Sequence, residues 1–222
     1  MYSKLFGLAV LLAACGLRAL AAPSTLDAAI ADLAHLWAKV TYQTARAEQE
    51  EGYKGLVLAA EHTQLAFPGR AEPLIWQAIA LSSAAKVEGG LTGLSKAKQA
   101  RELLLNAEKI DPTALAGSIY TSLGTLYAKV PGWPIGFGDK VKAAGYLKQA
   151  LAINPNGIEP NFFYAEFLAD QGHDAQAADY VDRALSAPPR SGREDSDSGR
   201  RLEAQTLAEA LRNKQSGQAA SK

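Results

Sequence analysis

The sequence predicts an all-α protein of stacked helix pairs. Long segments are rich in Ala, Leu, Lys, Gln and Glu, their apolar residues recur at spacings of three and four, and no strand-and-hairpin series interrupts them. One small-large-small pattern also returns three times: Ala100, Leu104 and Ala107 before Pro112, then Ala143, Leu147 and Ala150 before Pro155, then Ala177, Val181 and Ala184 before Pro189. Small residues let two helices approach closely, and the larger one fills the groove between them. At 222 residues and 48% hydrophobic, the chain is long enough for one substantial core. Lys plus Arg and Asp plus Glu balance at 23 each, so no net field points to nucleic acid or an anionic membrane. The aromatic residues are too few and scattered for a base-stacking platform.

The N-terminus reads as an export signal. Lys4 precedes an apolar run from Leu5 to Ala14, shorter than the ~20 residues of a spanning helix. Ala19 and Ala21 flank Leu20 at small-x-small spacing, which places cleavage after Ala21 and makes residues 1–21 a signal peptide. A second reading stands beside it, because Leu12-Ala13-Ala14-Cys15 resembles a bacterial lipobox with Cys15 as the lipidated residue. The first reading implies a soluble periplasmic protein, the second a lipid-anchored one. Cys15 is the only cysteine, so no intramolecular disulfide forms. Without residues 1–21, which hold Lys4 and Arg18, 21 positive groups face 23 negative ones.

From Ser24, read as an N-cap with Asp27 three residues on, the helices follow in order. Leu26, Ile30, Leu33, Trp37 and Val40 share one face of a first helix, whose polar continuation through Glu48–Glu51 ends near Gly52. A second helix carries Leu56, Ala59, Ala60, Gln64 and Leu65 up to Pro68-Gly69. Trp76, Ile79 and Ala80 precede the first small-large-small set, and Tyr120, Leu123, Gly124 and Tyr127 precede the second. A final amphipathic helix is expected from about Asp195–Asp197 to Asn213. It would cap the last repeat by burying Leu202, Leu207 and Leu211, with Arg200 and Arg201 outward. The helical domain thus spans residues 22–213, and 214–222 read as a disordered tail.

These spacings resemble the tetratricopeptide repeat (TPR), whose pattern is W-x2-L-G-x2-Y, then A-x3-F-x2-A, then P. The resemblance implies an α-solenoid of about four helix pairs. Pro155 to Pro189 spans the standard 34 residues, while Pro112 to Pro155 spans 43 and Pro68 to Pro112 spans 44. The extra residues are read as two insertions on one side of the solenoid, Glu88–Gly93 and Pro131–Asp139. The run from Tyr120 through Val130-Pro131-Gly132-Trp133-Pro134-Ile135-Gly136-Phe137-Gly138-Asp139 looks like a family of exported proteobacterial TPR proteins. Ala71–Trp76, Asn161–Tyr164 and Ala187–Arg190 add to that likeness. A more distant likeness, through architecture and Gly138-Asp139, is to the T component of TRAP-associated periplasmic systems.

Such units bind extended peptides along a concave face lined by the first helix of each pair. Here that face is expected to carry Gln77, Leu81 and Ala84, then Thr121, Thr125, Ala128 and Lys129, then Phe162, Glu166 and Asp170. The carboxylate-clamp members use Lys and Asn where this chain has Thr121, Thr125, Phe162 and Glu166, which argues against that subtype. The central loop reads as ordered, with Trp133, Ile135 and Phe137 tucked in alternation against the helices. Trp133 and Phe137 are either aromatic anchors of a recognition lip or plugs of a widened helix pair, with Asp139 at the loop end. Arg190 either pairs within the chain or reaches a partner.

Catalytic signatures are missing: there is no GxSxG, HExxH or P-loop, and no Cys–His pair in the mature chain. No cofactor or metal is expected, and His35 and His62 read as solvated or capping. Two functions follow. The chain is a non-catalytic periplasmic scaffold that holds a protein or peptide in its groove, or a binding protein for a small apolar solute enclosed by the insertions.

Overall fold

The computed structural model describes residues 25–220, so the expected signal peptide, the lipobox and Cys15 lie outside the described residues. Nine α-helices occupy that span. α1 (Leu26–Ala38) and α2 (Gln49–Ala66), α3 (Ala71–Glu88) and α4 (Gly90–Ile110), α5 (Ala114–Lys129) and α6 (Lys140–Ile153), and α7 (Ile158–Asp170) and α8 (Asp174–Leu185) form four helix pairs, followed by α9 (Glu194–Ala220). This is an all-α solenoid of stacked helix pairs.

The small-large-small pattern does what its chemistry demands. Ala100, Leu104 and Ala107 of α4, Ala143, Leu147 and Ala150 of α6, and Ala177, Val181 and Ala184 of α8 are all buried. Each second helix thus seats against its partner on one narrow stripe, and each fully buried Leu or Val contributes about 1.5–3 kcal/mol. The first helices of the pairs pack side by side. Their apolar residues divide into three clusters, one around α1–α3, one around α3–α6 and one joining α7, α8 and α9.

Several boundaries differ from expectation. The N-cap of α1 is Thr25, whose hydroxyl accepts from Ala28 N at 3.2 Å. The first helix ends at Ala38, a π-helical turn covers Lys39–Gln43, and Gln49–Glu51 open α2 instead of closing α1. The Gln49 amide fixes this corner by donating to the carbonyls of Thr41 (3.2 Å) and Thr44 (3.3 Å). At the start of α5, Leu115, Ala116 and Gly117 have left-handed backbone angles, so the regular helix runs only from Ser118.

The first insertion is no loop. Gly89 and Gly90, at φ 66° and 56°, turn the chain, and Gly90–Gly93 become the opening turn of a 21-residue α4. Glycine makes that turn without steric cost, and the added length extends the helix. The second insertion is a true loop between α5 and α6.

Candidate functional site

Two surfaces are candidates, the inner face formed by the first helices and the loop between α5 and α6. Part of the inner face is already covered. α9 and the turn leading into it contact α1, α3 and α7, joining the first pair to the last. His35 Nδ1 of α1 is 2.9 Å from Asp195 Oδ2, and the Tyr42 hydroxyl donates to Glu203 Oε2 at 3.4 Å. Arg193 sits over the Trp76 ring at 5.4 Å. Arg200 lies over Trp37 (5.8 Å), Phe162 (4.9 Å) and Phe163 (4.5 Å) while its guanidinium donates to Glu203. Gly199 meets the Tyr42 ring so closely that a Cβ there would overlap it.

The face of α9 is therefore rotated from the one read in the sequence. Ser196, Asp197, Arg200, Ala204, Ala208 and Leu211 are buried, whereas Leu202 is 64% exposed and Arg200 only 7%. Burying Leu202 and exposing Arg200 was the expectation from hydrophobicity alone. It fails because the helix faces aromatic rings and carboxylates, which accept a guanidinium and close-packed alanines. The helix also continues past Asn213 to Ala220, and Lys214 pairs with Asp174 at 3.2 Å.

Arg190 belongs to this closure and is not free for a partner. Its backbone N–H donates to Asp197 Oδ2 at 3.0 Å, its Nε to Asp197 Oδ1 at 2.9 Å and its Nη2 to Glu159 Oε1 at 2.8 Å. Burial works against the Arg190 charge, but Glu159 and Asp197 outweigh it and raise the pKa. For Arg193 the balance is reversed: burial together with the neighbouring Arg190 outweighs Glu159, Asp197 and Asp195 and pushes it down. Burial likewise drives the Tyr42 phenol well above its ordinary value, with Arg200 opposing and Glu203 reinforcing. A phenol held protonated by the fold contributes stability that is complete below about pH 10, and is lost as pH rises through the folded value. Urea midpoints recorded from about pH 8 to about pH 11 are expected to fall more steeply for the wild type than for Tyr42→Phe.

The other inner-face candidates serve the helices themselves. Thr121 is buried and its hydroxyl donates to Gly117 O at 3.3 Å, while Thr125 donates to Thr121 O at 2.8 Å. Phe162 is buried beneath Arg200. Lys129 pairs with Asp170 at 2.7 Å and Glu166 at 3.2 Å, which ties α5 to α7. Asn161 has a structural role: its amide donates to the carbonyls of Pro155 and Gly157, both at 2.8 Å.

The α5–α6 loop is different. Gly138 N donates to Pro131 O (2.9 Å), Gly136 N to Gly132 O (3.1 Å), Ile135 N to Gly132 O (3.2 Å) and Asp139 N to Tyr127 O (2.9 Å). These bonds fix the backbone. They also wind residues 132–136 into a turn, so the odd-numbered side chains do not share a face. Phe137 alone is tucked in, edge-on to Tyr127 at 5.4 Å and beneath Arg101 at 4.4 Å. Asp139 is the N-cap of α6 and accepts from Val141 N (3.0 Å) and Lys142 N (3.1 Å). Trp133 is 90% exposed and Ile135 65%, which corrects the expectation that both pack inward.

Two residues missed by sequence reasoning extend the patch. Leu91 at the start of α4 is 84% exposed and Val141 at the start of α6 is 83% exposed. The loop meets α4 one residue past the first insertion, where the Leu94 side chain bounds the space beside Gly136. Leu91, Leu94, Lys98 and Arg101 recur at helical spacing, a mixed face that carried the signal without saying which neighbour it met. The lip thus comprises Trp133 and Ile135 of the loop, with Leu91 and Val141 at the starts of α4 and α6.

No family model matches the chain, and no curated protein matches it. Among solved structures, the crystal structure of a thermophilic TPR protein from Thermus thermophilus aligns at 18% identity. The alignment covers 82% of this chain and 98% of that one, with a TM-score of 0.45.

The aromatic candidates do not converge on one pocket. Trp133 stands in solvent, Phe137 lies under Arg101, and Phe162 lies under α9. A surface depression of about 570 Å³ lies elsewhere, between Glu61, Leu65, Gln77 and Leu103. Among the described residues no group of three His, Cys, Asp or Glu side chains could hold a metal ion.

Proposed function

We propose that the protein is a non-catalytic TPR-like scaffold that binds a protein partner through the lip raised between α5 and α6, and not through its inner face. One observation carries this reading: Trp133 is 90% exposed on a backbone held by hydrogen bonds. A large ring costs little entropy to immobilise when its loop is already ordered, which is the setting in which aromatic anchors dominate interfaces. Of the inner face, where extended peptides were expected, α9 takes the part formed by α1 and α7, and Lys129 is tied up by Glu166 and Asp170.

The test separates recognition from packing. Trp133→Ala is expected to change stability by less than about 0.5 kcal/mol, as for an exposed residue, while abolishing partner capture from the native host. A variant that melts early would make the ring structural. The reading that the chain is exported to the periplasm rests on residues 1–21, and the alternative lipid anchor rests on Cys15. Intact mass of the mature chain decides between a start at Ala22 and a lipidated Cys15.

A further inference from the structure

The lip is apolar at its tip and basic around it. Arg101 lies over Phe137, Lys142 lies 5.4 Å from the centre of the Tyr127 ring, and Lys140 donates to Ala128 O at 3.0 Å. Lys98 occupies the α4 face between Leu94 and Arg101 and is exposed. Two carboxylates stand against these four cations: Asp139 caps α6 and lies 3.9 Å from Lys142, and Glu102 pairs with Arg101 at 2.6 Å. Lys96, one turn from the lip, is matched by Glu88. In a chain with a formal net charge of zero, this corner therefore carries a local excess of positive charge beside four exposed apolar side chains.

We infer that the lip takes an acidic amphipathic segment of a protein partner, its apolar stripe against Leu91, Trp133, Ile135 and Val141 and its carboxylates against Arg101 and Lys142. The inference rests on the lip being the binding surface. A bilayer asks only for mobile positive charge, whereas Arg101 is held flat against a ring beside the apolar tip, and a fixed guanidinium fork recognises carboxylates directionally.

Tryptophan fluorescence of the full chain reads this directly, because Trp37 (8% exposed) and Trp76 (3%) are buried and Trp133 (90%) dominates the quencher-accessible emission. The probes are three synthetic amphipathic peptides with one apolar stripe, flanked by Glu, by Gln or by Lys, together with vesicles of phosphatidylglycerol. The Glu peptide is expected to shift Trp133 emission to the blue and protect it from acrylamide. It should bind about tenfold more tightly than the Gln peptide at low salt, an advantage that shrinks as salt is added. Arg101→Gln with Lys142→Gln should bring the Glu peptide down to the Gln level. Equal binding of all three peptides would overturn the acidic preference while leaving the lip as an apolar docking site. A response to vesicles and to no peptide would replace the protein partner by a lipid surface. No response to any probe overturns the inference, and the Trp133→Ala capture experiment then tells whether the lip reading falls with it.

Discussion

Replacing Asp197 by Ala is expected to lower the stability of the fold by about 3 kcal/mol. The Asp197 side chain is 2% exposed and receives the Arg190 backbone N–H and guanidinium, with Arg201 Nη1 4.0 Å away. Removing a buried carboxylate leaves Arg190 with Glu159 as its remaining acid, and strands a backbone donor at the turn that leads into α9. Asp197→Asn keeps an acceptor for that N–H but not the charge, so it should cost roughly half as much. Chemical unfolding of the two variants checks the order. If Asp197→Ala is as stable as the wild type, α9 is not fastened across the inner face by this cluster.

Gly138→Ala is expected to destabilise by about 2 kcal/mol and to abolish partner capture, a combination that Trp133→Ala should not show. A Cβ at Gly138 would overlap the Val130 carbonyl, which is backbone and cannot rotate away. The strand-like bridge between Gly132 and Gly138 would then have to open, and with it the seat of Phe137 against Tyr127. Thermal unfolding and capture measured on the same variant check both parts. Retained capture in a destabilised protein would show that the partner does not require the ordered loop.

The helix pairs were legible in the sequence because each obeys a local rule. Ala143, Leu147 and Ala150 lie on one helix face whatever surrounds them, and all three are buried. The site was less legible, for reasons that are not local. Leu202 and Arg200 lie two residues apart on α9, and hydrophobicity favours burying the first. Which is buried depends on Trp37, Phe162 and Phe163, residues brought to α9 only by the closure of the solenoid. Trp133 posed the same difficulty in reverse: a large ring between glycines and prolines suggests burial, and the turn formed by Ile135 and Gly136 on the Gly132 carbonyl points elsewhere. Thr121, Thr125 and Glu166 were placed on the inner face by repeat register. The hydroxyls bond back to their own helix and the carboxylate pairs with Lys129, contacts that register does not specify.

In the proposed reading a partner binds at the α5–α6 lip, while α9 packs against α1 and α7 on the inner face. Site-specific photocrosslinking in the native host tests it most directly, with the photoreactive side chain placed at Trp133 in one variant and at Lys129 in another. The expected result is a discrete protein adduct from position 133 that disappears when Gly138→Ala is added, and none from position 129. An adduct from position 129 with none from position 133 would contradict the account and return recognition to the inner face.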